Sequence, residues 1–131
     1  DKQPSLNTVS AYGSDYIEIN AQRYTNSLLL SPESPVIEWS CTRFEDIKTE
    51  DFEQIAKLEP AVVIFGSGER IRFPKPALIA PLIARNIGLE TMDLQAACRT
   101  YNVLMAEGRK VVAALLIEKW LKKSTFLISL I

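Results

Sequence analysis

At 131 residues, with 47% hydrophobic and 24% charged residues, the chain has the size and composition of one globular domain, able to bury roughly two thirds of its unfolded surface and too short for a second core. Fifteen basic residues against sixteen acidic ones leave a net charge of -1, so no overall field draws it to nucleic-acid phosphates. It contains no histidine, which excludes together a Ser–His or Cys–His nucleophile, an imidazole general base and the commonest metal ligand.

Cys41 and Cys98 stand far apart in no metal-ligand spacing, which fits a reduced, cytoplasm-like compartment. The first residues carry no charged-then-apolar leader pattern, and no apolar run approaches the ~18 residues that span a bilayer.

Residues 9 to 39 read as short strands in an antiparallel meander. Tyr16 to Ile19 alternates, Asn20-Ala21-Gln22 can turn, and Tyr24 to Leu30 returns; the turn-rich Ser31 to Pro35 then leads to an extended Val36 to Trp39. Thr49 is placed to cap a helix whose first turn holds Glu50, Asp51 and Glu53, with Phe52, Ile55, Ala56 and Leu58 on its buried side. Ala61 to Phe65 is continuously apolar and ends in Gly66-Ser67-Gly68, as a central strand covered on both faces does. A further helix is predicted over Pro76 to Asn86. Pro81 forces it either to begin there or to kink, and Gly88 is its expected left-handed stop. Leu89 to Met92 forms a short strand. Asp93 caps a helix with Leu94, Ala97, Cys98, Tyr101, Leu104 and Met105 on one face and Gly108 at its end, and Lys110 to Ile117 is the last strand. Strands alternating with helices predict a layered α/β domain on a mostly parallel or mixed sheet.

Four groups of residues are candidates for function. Gly66-Ser67-Gly68 after a strand invites a phosphate-cradling reading, but a dinucleotide fingerprint needs glycine where Ile71 stands, so the alternative is a structural turn. Arg70, Arg72, Lys75 and Arg99 form either a basic rim around that turn or solvated charges paired with Glu69 or Asp93. Cys98 sits near a helix start but without a histidine, which favours a buried structural thiol. Arg99 and Asn102 share a face with Gln95 and grip either a neighbouring loop or a ligand.

The run Ala96 to Arg109, with Arg99-Thr100-Tyr101-Asn102 at its centre, together with Phe65-Gly66-Ser67-Gly68 and Arg72-Phe73-Pro74, resembles the small-domain family typified by mitochondrial NADH dehydrogenase (complex I) assembly factor 3 and its bacterial and archaeal relatives of unknown function. The resemblance covers residues 8 to 117, with Ser67 where the family usually has threonine. It implies a three-layer α/β domain with a central mixed sheet and no established enzymatic reaction; the expectation is a non-catalytic binding domain without cofactor or metal, its binding surface shaped by Gly66, Ser67, Gly68, Arg72, Arg99, Tyr101 and Asn102. The implied partner is a protein, either respiratory-complex subunits or a second assembly factor, met in the cytoplasm or peripherally at the inner membrane. The alternative is a small-molecule or nucleotide-binding protein using the glycine turn. Residues 118–131 are expected to form a separate tail, with Lys119, Lys122 and Lys123 ahead of Phe126, Leu127, Ile128, Leu130 and Ile131, packing on its own domain, a second copy or a membrane surface.

Overall fold

The computed structural model describes residues 5–119. The chain begins with a three-stranded antiparallel meander of β1 (Val9–Tyr12), β2 (Ile17–Ile19) and β3 (Gln22–Tyr24). Asn20 and Ala21, at φ 51° and 69°, make the β2–β3 turn, since a two-residue hairpin needs left-handed residues to match strand twist. The stretch read as one returning strand divides after Tyr24. Ser27 lies buried between the two pieces, and its hydroxyl, bonded to the Ile117 N–H and C=O, commits the second piece, β4 (Leu28–Leu30), to a different sheet.

That second sheet is mixed, in the order β5-β4-β8-β6-β7, and comprises β4, β5 (Ile37–Glu38), β6 (Val62–Gly66), β7 (Gly88–Met92) and β8 (Val111–Leu115). β8 runs parallel to β6 and antiparallel to β4, and β6 is parallel to β7. Every residue from Val111 to Ile117 is buried, because this strand has neighbours on both edges and side chains covered on both faces. Alternation divides them. Val111, Ala113, Leu115 and Ile117 join Ile64, Leu28 and Leu30 under the meander and α3 (Leu94–Ala106), whereas Val112, Ala114 and Leu116 join Val63, Phe65 and Leu29 under α1 (Thr49–Ala56) and α2 (Ala80–Ala84). The result is the predicted three-layer α/β domain. On the second face Trp39, Phe52 and Phe65 pack edge-to-face at 5.8–6.3 Å between ring centres.

Three local expectations need correction. Lys48, not Thr49, precedes α1 as its cap, and the Asp51 carboxylate accepts the Lys48 N–H at 2.7 Å, so a first-turn acid ties the helix start to the chain before it. The predicted Pro76 helix is a 3-10 turn (Pro76–Ile79) followed by α2, with Pro81 in its first turn, where its missing N–H costs nothing. The left-handed residue that ends α2 is Asn86 (φ 57°), two positions before Gly88, which opens β7 instead. Asp93 caps α3 as expected, accepting from the Ala96 N–H at 2.9 Å, and Gly108 follows it at φ 78°. Glu118 and Lys119, grouped with the tail in the sequence reading, are bonded to the domain; residues 120–131 lie outside the described residues.

Gly66 closes β6 where α3 crosses closest to the sheet. A Cβ there would stand 2.9 Å from the Ala97 Cβ and 3.1 Å from a Leu115 methyl. Gly66→Ala is therefore expected to lower unfolding free energy by about 1–3 kcal/mol through overpacking, measured by urea denaturation.

Candidate functional site

The residues singled out in the sequence fall into two sets. Gly66, Ser67, Gly68 and Arg72 come together where the chain leaves β6, at the carboxyl ends of the parallel strands, the usual place for a site in an α/β sheet. Gly68 needs its missing side chain, because at φ +106° a Cβ would lie 2.6 Å from the Arg72 guanidinium. Its carbonyl accepts the first N–H of α3, from Leu94, at 2.7 Å, so the turn is fastened to the next helix as well as to its own strand.

Ser67 is fully buried and its polar groups are spent inside the turn. Its hydroxyl donates to the Arg70 carbonyl and accepts the Arg72 N–H, both at 2.8 Å, and its N–H reaches the Met92 carbonyl at 2.9 Å. Arg72 folds back over it. Nε and Nη2 donate to the Ser67 carbonyl at 3.2 and 2.5 Å, and Nη2 also meets Glu118 Oε1 at 2.6 Å. The other Glu118 oxygen accepts the Phe44 N–H at 2.9 Å, while the Phe44 ring lies 4.7 Å under the guanidinium carbon. Arg72 thus pairs with Glu118, not with Glu69 or Asp93, and is withdrawn from the basic rim that the sequence suggested. Its neighbours Ile71 and Phe73 point outward, 50% and 71% exposed, with Arg70 and Lys75 exposed beside them.

Arg99, Tyr101 and Asn102 form the second set, on the seam between α3 and β1. The Asn102 side chain accepts from the Val9 N–H and donates to the Val9 carbonyl, each at 2.9 Å, completing the edge of β1 as a paired strand would. Tyr101 is buried and its hydroxyl donates to the Asn7 carbonyl at 2.8 Å, while exposed Arg99 reaches the Tyr12 hydroxyl at 3.2 Å. Of the two options for Arg99 and Asn102, the geometry displays the grip on a neighbouring segment. Cys98 is fully buried, and burial pushes its thiol pKa up to about 12; Cys41 is also buried and raised, first by burial and then by Asp51. Neither supplies a thiolate near neutrality.

A cavity of about 300 Å³ opens at the other end of the sheet, lined among others by Leu6, Ile37, Leu58, Met105, Arg109 and Lys110. None of the seven residues singled out in the sequence reaches it. The two partners missed by sequence reading, Glu118 and Phe44, carried no local signal, being 46 and 28 positions from Arg72.

A family model described as a protein of unknown function (DUF498/DUF598) matches residues 9–116. The chain is 32% identical over 117 residues to NADH dehydrogenase (ubiquinone) 1 alpha subcomplex assembly factor 3 of Bos taurus, an alignment covering 88% of this chain and 63% of that protein. It therefore spans less than two thirds of that relative's length. Among solved structures, a Bordetella parapertussis protein superposes with a TM-score of 0.84 at 46% identity, over 89% of this chain and 100% of that one. A Bordetella pertussis protein described as an Mth938-like domain gives a TM-score of 0.78 at 39% identity over 90% of each chain.

Two outcomes follow from the clamp and the thiols. The Arg72 and Glu118 side chains are only 17% and 10% exposed, so Arg72→Met strands a mostly buried carboxylate and should cost about 3 kcal/mol in urea unfolding. The double variant Arg72→Met/Glu118→Leu should recover most of that loss. Because burial holds the Cys98 pKa higher in the folded chain than in the unfolded one, its contribution to stability is complete below the ordinary thiol value of 9.0 and is lost as pH rises toward about 12. Denaturation midpoints should accordingly fall over that window, and fall less steeply in Cys98→Ala.

Proposed function

The chain belongs to the family of proteins of unknown function DUF498/DUF598, and from that membership we propose that it is a protein-binding domain of the assembly-factor type with no catalytic step of its own. The observation that carries the reading is the clamped loop. Arg72, Ser67 and Glu118 spend their polar groups on one another and fix the segment between them, so that Ile71 and Phe73 stand rigidly in solvent. Scattered exposed apolar side chains are ordinary, but an aromatic held outward by a buried network is already ordered before it meets a partner. Such preorganisation lowers the entropic cost of association. Arg70 and Lys75 add a polar, cationic margin.

Further support comes from the chemistry of the side chains. The sequence has no histidine, both thiols are buried with raised pKa values, and the Ser67 hydroxyl is engaged twice, so this turn supplies no activated nucleophile. A relative 32% identical to this chain is named for assembly of NADH dehydrogenase. The partners that this reading assigns are subunits of a respiratory complex or a second assembly factor, met from the cytoplasmic side with at most peripheral membrane contact. Among the described residues no helix is long and apolar enough to cross a membrane.

The test compares affinity capture by the wild type and by Ile71→Asp/Phe73→Asp, two changes at exposed positions that leave the clamp intact. Respiratory-complex subunits should be enriched by the first and lost with the second, at unchanged melting temperature. Equal recovery by both sinks the proposed surface.

A further inference from the structure

Among the described residues the four sheet edges differ in how they are guarded. β5, at one end of the large sheet, is two residues long and follows Pro35. β1 has its Val9 N–H and C=O occupied by Asn102 and carries an irregularity between Val9 and Ala11. β3 is three residues with charged, exposed Arg23 at its centre. These are the devices by which soluble proteins keep edges from pairing with other chains. β7, at the other end of the large sheet, is five residues long, like the two central strands, without proline, lysine or bulge, and its one charge is the exposed Glu90 at its centre. Among the described residues nothing pairs with its outer side.

We propose that the outer edge of β7 is a self-association surface on which a second copy of this chain pairs antiparallel, joining two five-stranded sheets into one. The Met92 carbonyl accepts the Ser67 N–H, so Met92, and with it Glu90 and Gly88, turn their backbone groups toward β6. Leu89 and Thr91 therefore present theirs outward. A two-fold axis through Leu89 sets that residue opposite its own mate, with two hydrogen bonds and an apolar side-chain pair at the centre.

The same axis sets Glu90 of each copy opposite Gly88 of the other. This pair is of the non-hydrogen-bonded kind, in which the backbones come closest, and it needs one small partner. Gly88 provides it: a Cβ built there would meet only Val62 Cγ2 within 4 Å, at 3.9 Å. The strand therefore carries both a projecting side chain and the gap that receives it, which is the self-complementarity of a two-fold interface. An axis through Glu90 would instead place two carboxylates roughly 5 Å apart. The flanks agree with this arrangement. α2 and α3 both pack against β7, and α2 bears the exposed Ile83, at 61%. A mate at the β7 edge continues the helical layers on both faces of the sheet.

The 131-residue chain should sediment as a concentration-dependent dimer, with amide exchange at Leu89 and Thr91 slowing as concentration rises. Gly88→Val sets a Cβ in ordinary contact with Val62 in the monomer but its branch against Glu90 in the dimer, so it should stay folded and lose the dimer. Leu89→Lys, which puts like charges across the axis, should do the same and decides the matter if Gly88→Val fails to fold. A wild type that remains monomeric at millimolar concentration overturns the proposal. So does a dimer whose affinity survives these substitutions, or one that leaves exchange at Leu89 unchanged.

Discussion

β8 can occupy only the centre of this sheet, and that constraint orders everything around it. Seven consecutive buried residues leave no solvent face, so the strand must be sandwiched between two layers and paired on both edges. Its parallel partner β6 comes from upstream and is followed by a crossover through α2, β7 and α3 before the chain returns as β8. Its antiparallel partner β4 leads in from the meander. Small residues mark where the layers come nearest: Ala113 and Ala114 on β8 admit the meander and α3 on one side and the aromatic group of Trp39, Phe52 and Phe65 on the other. Larger side chains at either position would thicken a layer that Gly66 and Ala97 hold close.

From this arrangement the position of the clamped turn follows. The parallel strands β6, β7 and β8 run toward the Gly66-Ser67-Gly68 turn, and Glu118, the residue directly after the buried run of β8, is brought under Arg72. A buried ion pair contributes little net stability compared with apolar side chains of equal volume, because removing two charges from water offsets most of their attraction. What it contributes here is position. The guanidinium has three defined acceptor contacts and a ring beneath it, so the loop between Ser67 and Pro74 has one arrangement rather than several. A loop fixed in that way can display an aromatic residue without collapsing over it.

The same distinction between local and distant determinants explains what could be read in advance. The apolar runs of β6 and β8, the Asp93 cap and the Gly108 stop are local, and each appears in the structure where the pattern put it. The stop of α2 was misplaced at Gly88 because Asn86 also tolerates the left-handed conformation, and the closure of the turn onto Leu82 selects between them. Glu118 read as the first polar residue of a tail because its role depends on Arg72. Tyr101 and Asn102 were legible as lying on particular faces of a helix, but a helical wheel does not say what stands opposite. β1 does, held by an amide that imitates a neighbouring strand.

That imitation has a wider meaning for the molecule. Asn102 satisfies one N–H and one C=O of β1 at once, which is what a paired strand would have done, and it leaves that edge with less to offer another chain. The fold thus contains, within one domain, both a strand whose outward backbone groups are answered by a side chain and a strand, β7, whose outward groups at Leu89 and Thr91 pair with no other described strand. Water can satisfy the second as well as a side chain satisfies the first, so stability alone does not require the difference. On the proposed pairing the asymmetry bears on association: the edge of β1 is answered by α3, the helix that carries Arg99, and the outer edge of β7 ends the other sheet, where a second copy would leave the Ile71–Phe73 loop accessible at the carboxyl ends of the strands.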